Sequence, residues 1–138
     1  MALSASMVKE LREKSGAGMM DCKKALIETE CKMDDAIDWL RKQGLSAVAK
    51  KSSRVAAEGL IGITIKDTKG GIIEINSETD FVARNDLFQS FVKNCSNLVL
   101  TSKSDIDALK KLPVSNTDRT VDQELKNNIA TIGENMNI

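Results

Sequence analysis

GLIGITIKDTKGGIIEI, residues 59–75, decides the fold class, because here the apolar spacing changes from a helical period to a period of two. Ile61, Ile63 and Ile65 alternate with Gly62, Thr64 and Lys66. The chain then turns through Asp67-Thr68-Lys69-Gly70-Gly71, and Ile72, Ile73 and Ile75 return as a second strand. This pattern predicts a β-hairpin whose glycine-bearing turn supplies the positive φ that such connections need.

On the N-terminal side, LSAVAKKSSRVAAE (45–58) joins small side chains to Lys50, Lys51 and Arg54 and reads as a solvated helix or linker, with a domain boundary near residue 55. Residues 5–44 read as three short helices, since apolar positions fall three and four apart and glycines punctuate the ends. The first carries Ala5, Val8 and Leu11, with Ser4 or Ser6 as cap and Gly16 past its end. The second carries Met19, Cys22, Ala25 and Leu26 on one side and Lys23 and Lys24 on another. In the third, Met33, Ala36, Ile37 and Leu40 share a face, Asp34 and Asp35 suit the positive N-terminal end, and Gly44 suits the stop.

On the C-terminal side, SETDFVAR reads as a loop leading to a long amphipathic helix with Leu87, Phe88, Phe91, Val92, Cys95, Leu98 and Val99, capped by Asn85 or Asp86. That helix is expected to cover the hairpin. A short helix at 104–112 ends at Pro113, and Thr120-Val121-Asp122-Gln123 forms a capping box for a last helix bearing Val121, Leu125, Ile129 and Ile132. Gly133 ends it, and ENMNI reads as the start of a strand. The fold class is therefore α+β, with a helical N-terminal domain over 1–54 and a second domain over 55–138.

Composition narrows the chemistry. The 138 residues are 41% apolar, enough for a genuine core, and Lys plus Arg match Asp plus Glu at 20 each, so no basic footprint for nucleic acid or anionic membrane exists. Histidine is absent, which removes the commonest general base and metal ligand. Three cysteines with no close pair, Cys22, Cys31 and Cys95, suit a reducing compartment. No apolar run approaches the roughly 20 residues of a membrane helix, so the expectation is a cytoplasmic or organelle-matrix protein. A phosphate loop of the GxxxxGK[ST] type is missing, and the reading is of a protein that is not an enzyme and carries no cofactor or metal.

Two places stand out. In Thr79-Asp80-Phe81-Val82 an aromatic residue sits beside an acid between a strand end and a helix start. Phe81 is either a core plug, with Asp80 as a helix cap, or a protruding anchor of the kind that dominates binding hot spots. In Met19-Met20, after a glycine turn, one methionine is expected in the core and the other at the surface as an adaptable apolar contact.

MVKELREKSGAGMMDCKKAL (7–26), TDFVARN (79–85) and IGENMNI (132–138) resemble, in order, three segments of the elongation factor Ts family. The resemblance implies a ubiquitin-associated-like three-helix domain followed by the first half of an α+β core. It also implies truncation, because the family continues into a second core half beyond the segment that ends here at Ile138. The implied function is guanine nucleotide exchange on the GTPase elongation factor Tu. Thr79, Asp80, Phe81 and Val82 match the element that inserts near the partner's magnesium site and releases GDP, and Arg12, Met19, Met20 and Lys23 match docking positions. The alternative is a ubiquitin-associated-like helical adaptor that binds a peptide or partner helix without exchange activity.

Overall fold

The computed structural model describes residues 2–138 and divides the chain into two compact units, one ending at Lys50 and the other running Lys51–Ile138. The mixture of helices with one antiparallel sheet is the expected α+β class. None of the helices is long and apolar enough to cross a membrane among the described residues.

The first unit holds α1 (Ala5–Ser15), α2 (Met19–Glu28) and most of α3 (Met33–Lys51). Ser4 caps α1, its side chain accepting a hydrogen bond from the Met7 N–H. Leu11, Cys22, Ala25, Leu26, Ala36 and Leu40 form the core, so every helix contributes at least one fully or nearly buried side chain. The Lys24 ammonium sits 5.8 Å from the Trp39 ring centroid, a cation–π contact tying α2 to α3. Gly44 does not stop α3, contrary to expectation. One interior glycine costs about 1 kcal/mol relative to alanine, and the good helix formers after it, through Lys51, extend the hydrogen-bonded ladder instead.

The second unit begins with the hairpin, β1 (Glu58–Lys66) and β2 (Lys69–Ser77), in register from Glu58↔Ser77 to Lys66↔Lys69. The turn is therefore only Asp67-Thr68, and the positive φ lies at Asp67 (54°) rather than at a glycine. Gly70 and Gly71 lie inside β2. Their expected role in the turn is corrected by a packing role for Gly71, because a Cβ there would stand 2.8 Å from a Val99 methyl. Gly62 is similar, with Ser96 Cβ at 2.9 Å and a Val92 methyl at 3.1 Å from the place a Cβ would take. These two glycines let α5 (Asp86–Val99) lie directly on the hairpin. Gly59 has φ +135° and a would-be Cβ 2.1 Å from the Ile75 carbonyl oxygen, so only glycine fits at the start of β1.

The face of the hairpin that meets α5 is thus the Leu60, Gly62, Thr64, Ile73 and Ile75 face. Ile61, Ile63, Ile65 and Ile72 lie on the other face and are exposed. Phe88, Phe91, Val92 and Cys95 of α5 complete the core beneath. The helix α6 (Ile106–Lys110) is shorter than expected, capped by Asp105, and α7 (Val121–Ile132) opens with the Thr120–Gln123 capping box. The C-terminal strand β3 (Met136–Asn137) pairs antiparallel with β2 through Ser77↔Met136, giving the order β1-β2-β3.

Candidate partner-docking surfaces

The stretch read as a loop contains one helical turn, α4 (Asp80–Ala83). Thr79 is its cap, the hydroxyl accepting from the Val82 N–H at 3.5 Å, so Asp80 is not the cap but the first helical residue. Val82 and Ala83 are buried, which pins one side of the turn to the unit. Phe81 points the other way and is 78% exposed, so it is no plug for this core. Asp80 is exposed as well, its carboxylate 3.4 Å from the Arg84 guanidinium one turn on. Immediately after α4, the Asn85 side chain accepts from the Leu87 and Phe88 N–H groups and starts α5. The aromatic ring therefore rises from a single turn clamped between a sheet and a long helix.

That turn is held from far away in sequence. Glu134 Oε2 accepts from the backbone N–H groups of Glu78 (3.1 Å) and Thr79 (3.0 Å), while Oε1 accepts from the Thr79 hydroxyl at 2.6 Å. Glu78 returns the contact, its Oε1 accepting from the Asn135 N–H at 2.7 Å and lying 3.5 Å from the Arg54 guanidinium. Asn135 Nδ2 donates to the Arg54 carbonyl at 2.7 Å, and Ser77 Oγ donates to the Thr79 carbonyl at 2.9 Å. Charge-assisted bonds to backbone N–H are among the stronger hydrogen bonds. Sequence reading missed Glu134, Glu78, Asn135 and Arg54, since no local pattern shows contacts that span 55 or more residues, as those of Glu134 and Asn135 do, or the 24 between Arg54 and Glu78.

In the first unit, Arg12 on α1 and Met19, Met20 and Lys23 on α2 are all exposed. Lys23 follows Met19 and Met20 by one turn, which puts these α2 residues on neighbouring surface positions. The expectation that one methionine enters the core is corrected: Met19 is 56% and Met20 73% exposed. Cys22, Ala25 and Leu26 already fill the α2 side of this core, and Met19, the first residue of the helix, lies beyond it. Ile27, 57% exposed and seven residues after Met20, extends the apolar surface, a position the sequence reading passed over beside buried Leu26.

Two of the three thiols, Cys22 and Cys95, lie in the core, and Cys31 is partly exposed. Cys22 is buried with its sulfur near Ser15 Oγ and the Ala17 carbonyl, both at 3.7 Å, and burial, aided by the charge of Glu124, pushes the Cys95 thiol up to about 12. Among the described residues, no group of three or more His, Cys, Asp or Glu side chains is placed to hold a metal ion.

Residues 78–138 match the family model described as Elongation factor TS. The chain is 59% identical over 136 residues to elongation factor Ts of Rhodospirillum centenum, covering 99% of this chain and 44% of that protein. It is 57% identical to the Paramagnetospirillum magneticum protein of the same name over 136 residues, again 99% and 44%, and 55% identical over 138 residues to that of Rhizobium meliloti, 100% and 45%. The chain thus spans less than half the length of these curated relatives.

Proposed function

From its likeness to elongation factor Ts over nearly its whole length, we propose that this chain is the part of such a factor that engages elongation factor Tu and promotes release of GDP during translation elongation. The observation that carries this reading is the 78% exposure of Phe81 on a turn whose neighbours are buried and hydrogen-bonded. A large apolar ring held in water by a rigid support is a preorganised anchor for a partner's pocket. In this reading Thr79, Asp80, Phe81 and Val82 form the element that disturbs the partner's magnesium site, and Arg12, Met19, Met20 and Lys23 contribute docking affinity. The two roles fall to the two units, a three-helix ubiquitin-associated-like domain and the first half of a core.

The mechanism requires no covalent step. A factor that binds the nucleotide-free GTPase more tightly than the GDP-bound form lowers GDP affinity by the same factor, because linkage is reciprocal. Each tenfold loss of GDP affinity needs about 1.4 kcal/mol of differential binding. One anchor of hot-spot quality contributes on the order of 2 kcal/mol, a large share of the first two tenfold steps.

The test is release of fluorescent GDP from elongation factor Tu, followed by stopped flow as this chain is added. Release that accelerates with chain concentration to a plateau is the expected result. Spontaneous-rate release at every concentration, with capture of a helical peptide instead, would point to the adaptor reading.

A further inference from the structure

We propose that Glu134 is a positioning residue for the exchange step, fixing the turn that presents Asp80 and Phe81 and so acting through them rather than on the partner. This role rests on the exchange reading above. One carboxylate takes three donors: the N–H groups of Glu78 and Thr79 and the Thr79 hydroxyl, at 3.1, 3.0 and 2.6 Å. The same Thr79 hydroxyl oxygen accepts from the Val82 N–H, so a continuous chain of bonds runs from Glu134 to the residue next to Phe81. Each bond in such a chain polarises the next.

Glu134 is itself placed with little freedom. Gly133 ends α7 in the left-handed region at φ 90°, and Asn135 and Met136, both buried, carry the chain into β3 beside Ser77. The reciprocal bond from the Asn135 N–H to Glu78 closes a clasp between the strand-to-α4 turn and the α7-to-β3 turn. Without Glu134, two backbone N–H groups and a hydroxyl lose their acceptor, and the clasp retains only the Glu78 side. A carboxylate is suited to this position because its two oxygens together serve three donors, which an amide oxygen alone does less well.

The test compares Glu134→Ala, Glu134→Gln, Phe81→Ala and the Glu134→Ala/Phe81→Ala double variant by amide hydrogen exchange and by stopped-flow GDP release at saturating chain. In Glu134→Ala, the Glu78 and Thr79 amides should exchange on the order of tenfold faster, with Ile73 and Ile75 of β2 still protected. Catalysed GDP release at saturation should slow on the order of tenfold, as small misplacements of a working group do. Glu134→Gln should lie between, and adding Glu134→Ala to Phe81→Ala should slow release by clearly less than the roughly tenfold seen alone, because part of the carboxylate's effect runs through the ring already removed and only the part through Asp80 remains. Unchanged amide protection, a fully additive loss in the double variant, or normal release by Glu134→Ala overturns the positioning role. Failure of the unmodified chain to accelerate release at all overturns the exchange reading and this role with it.

Discussion

Ile63 and Ile72 stand directly opposite each other in the hairpin register, and both face away from α5, 65% and 67% exposed. The other face of the hairpin behaves oppositely: Ile73 and Ile75, paired across the strands with Gly62 and Leu60, are buried against the helix. The isoleucine alternation that identifies the strand therefore belongs to its open side.

This asymmetry sets a stability prediction. Ile75→Ala should destabilise the chain by roughly 2 to 5 kcal/mol, since it opens a cavity under α5. Ile63→Thr, which keeps a β-branched side chain on an exposed face, should stay within about 0.5 kcal/mol of the unmodified chain. Urea melts of the two variants decide it, and a cost for Ile63→Thr comparable to that of Ile75→Ala would show that the isoleucine face is covered.

Cys95 gives a pH prediction. Its thiol is raised from 9.0 to about 12, first by burial and then by the charge of Glu124. The unfolded chain releases this proton near pH 9 while the folded chain keeps it, so the unfolded state binds fewer protons above that value and stability must fall as pH rises. The contribution is intact below about pH 9 and is lost progressively towards pH 12. Melting temperatures of the unmodified chain should therefore drop more steeply across this window than those of Cys95→Ala, after each is referenced to its own value at pH 8. Parallel curves would remove the buried-thiol account.

Periodicity and capping residues made much of this fold legible. The Thr120–Gln123 capping box, the Asn85 cap and the amphipathic face of α5 are local, and the structure has them where the sequence puts them. Gly44 and the Gly70-Gly71 pair misled, because glycine serves equally as a helix stop, a turn residue or a gap for a neighbouring helix, and only the tertiary neighbours select among these. At the candidate site, composition flagged Phe81, but whether it pointed in or out was decided by Val82 and Ala83 occupying the buried side of α4. The Glu134 clasp was illegible, since its donors lie 55 and 56 residues away.

The first unit should contribute affinity and not the exchange step, because its candidate contacts lie on a separate helical body. Met20 is 73% exposed, so Met20→Ala should leave the melting temperature nearly unchanged, within about 0.5 kcal/mol of stability. Met20→Ala and Arg12→Ala should each raise the chain concentration needed for half-maximal GDP release several-fold while the plateau rate stays the same. A lowered plateau with unchanged half-saturation would reverse this division of roles.

The decisive variants are at Asp80 and Phe81. If Phe81 were a core residue, Phe81→Ala would cost roughly 3 to 5 kcal/mol of stability, as large aromatic deletions in cores do. At 78% exposure its truncation should instead cost well under about 1 kcal/mol, and the loss should appear in function. A hot-spot anchor worth about 2 kcal/mol in the exchange transition state corresponds to a rate of catalysed GDP release roughly thirtyfold slower at saturation. Asp80 tests the charge beside the ring. Thr79 supplies the α4 cap, and the exposed Asp80–Arg84 pair at 3.4 Å contributes a few tenths of a kcal/mol at most, so Asp80→Ala should also melt nearly normally. It should nevertheless slow exchange, whereas Arg84→Ala, which breaks the same pair while keeping the carboxylate, should leave exchange near normal. Thermal melts run beside stopped-flow release separate the outcomes: a variant that unfolds while its folded fraction exchanges at the full rate removes the residue from the site, and a well-folded variant that no longer releases GDP places it there.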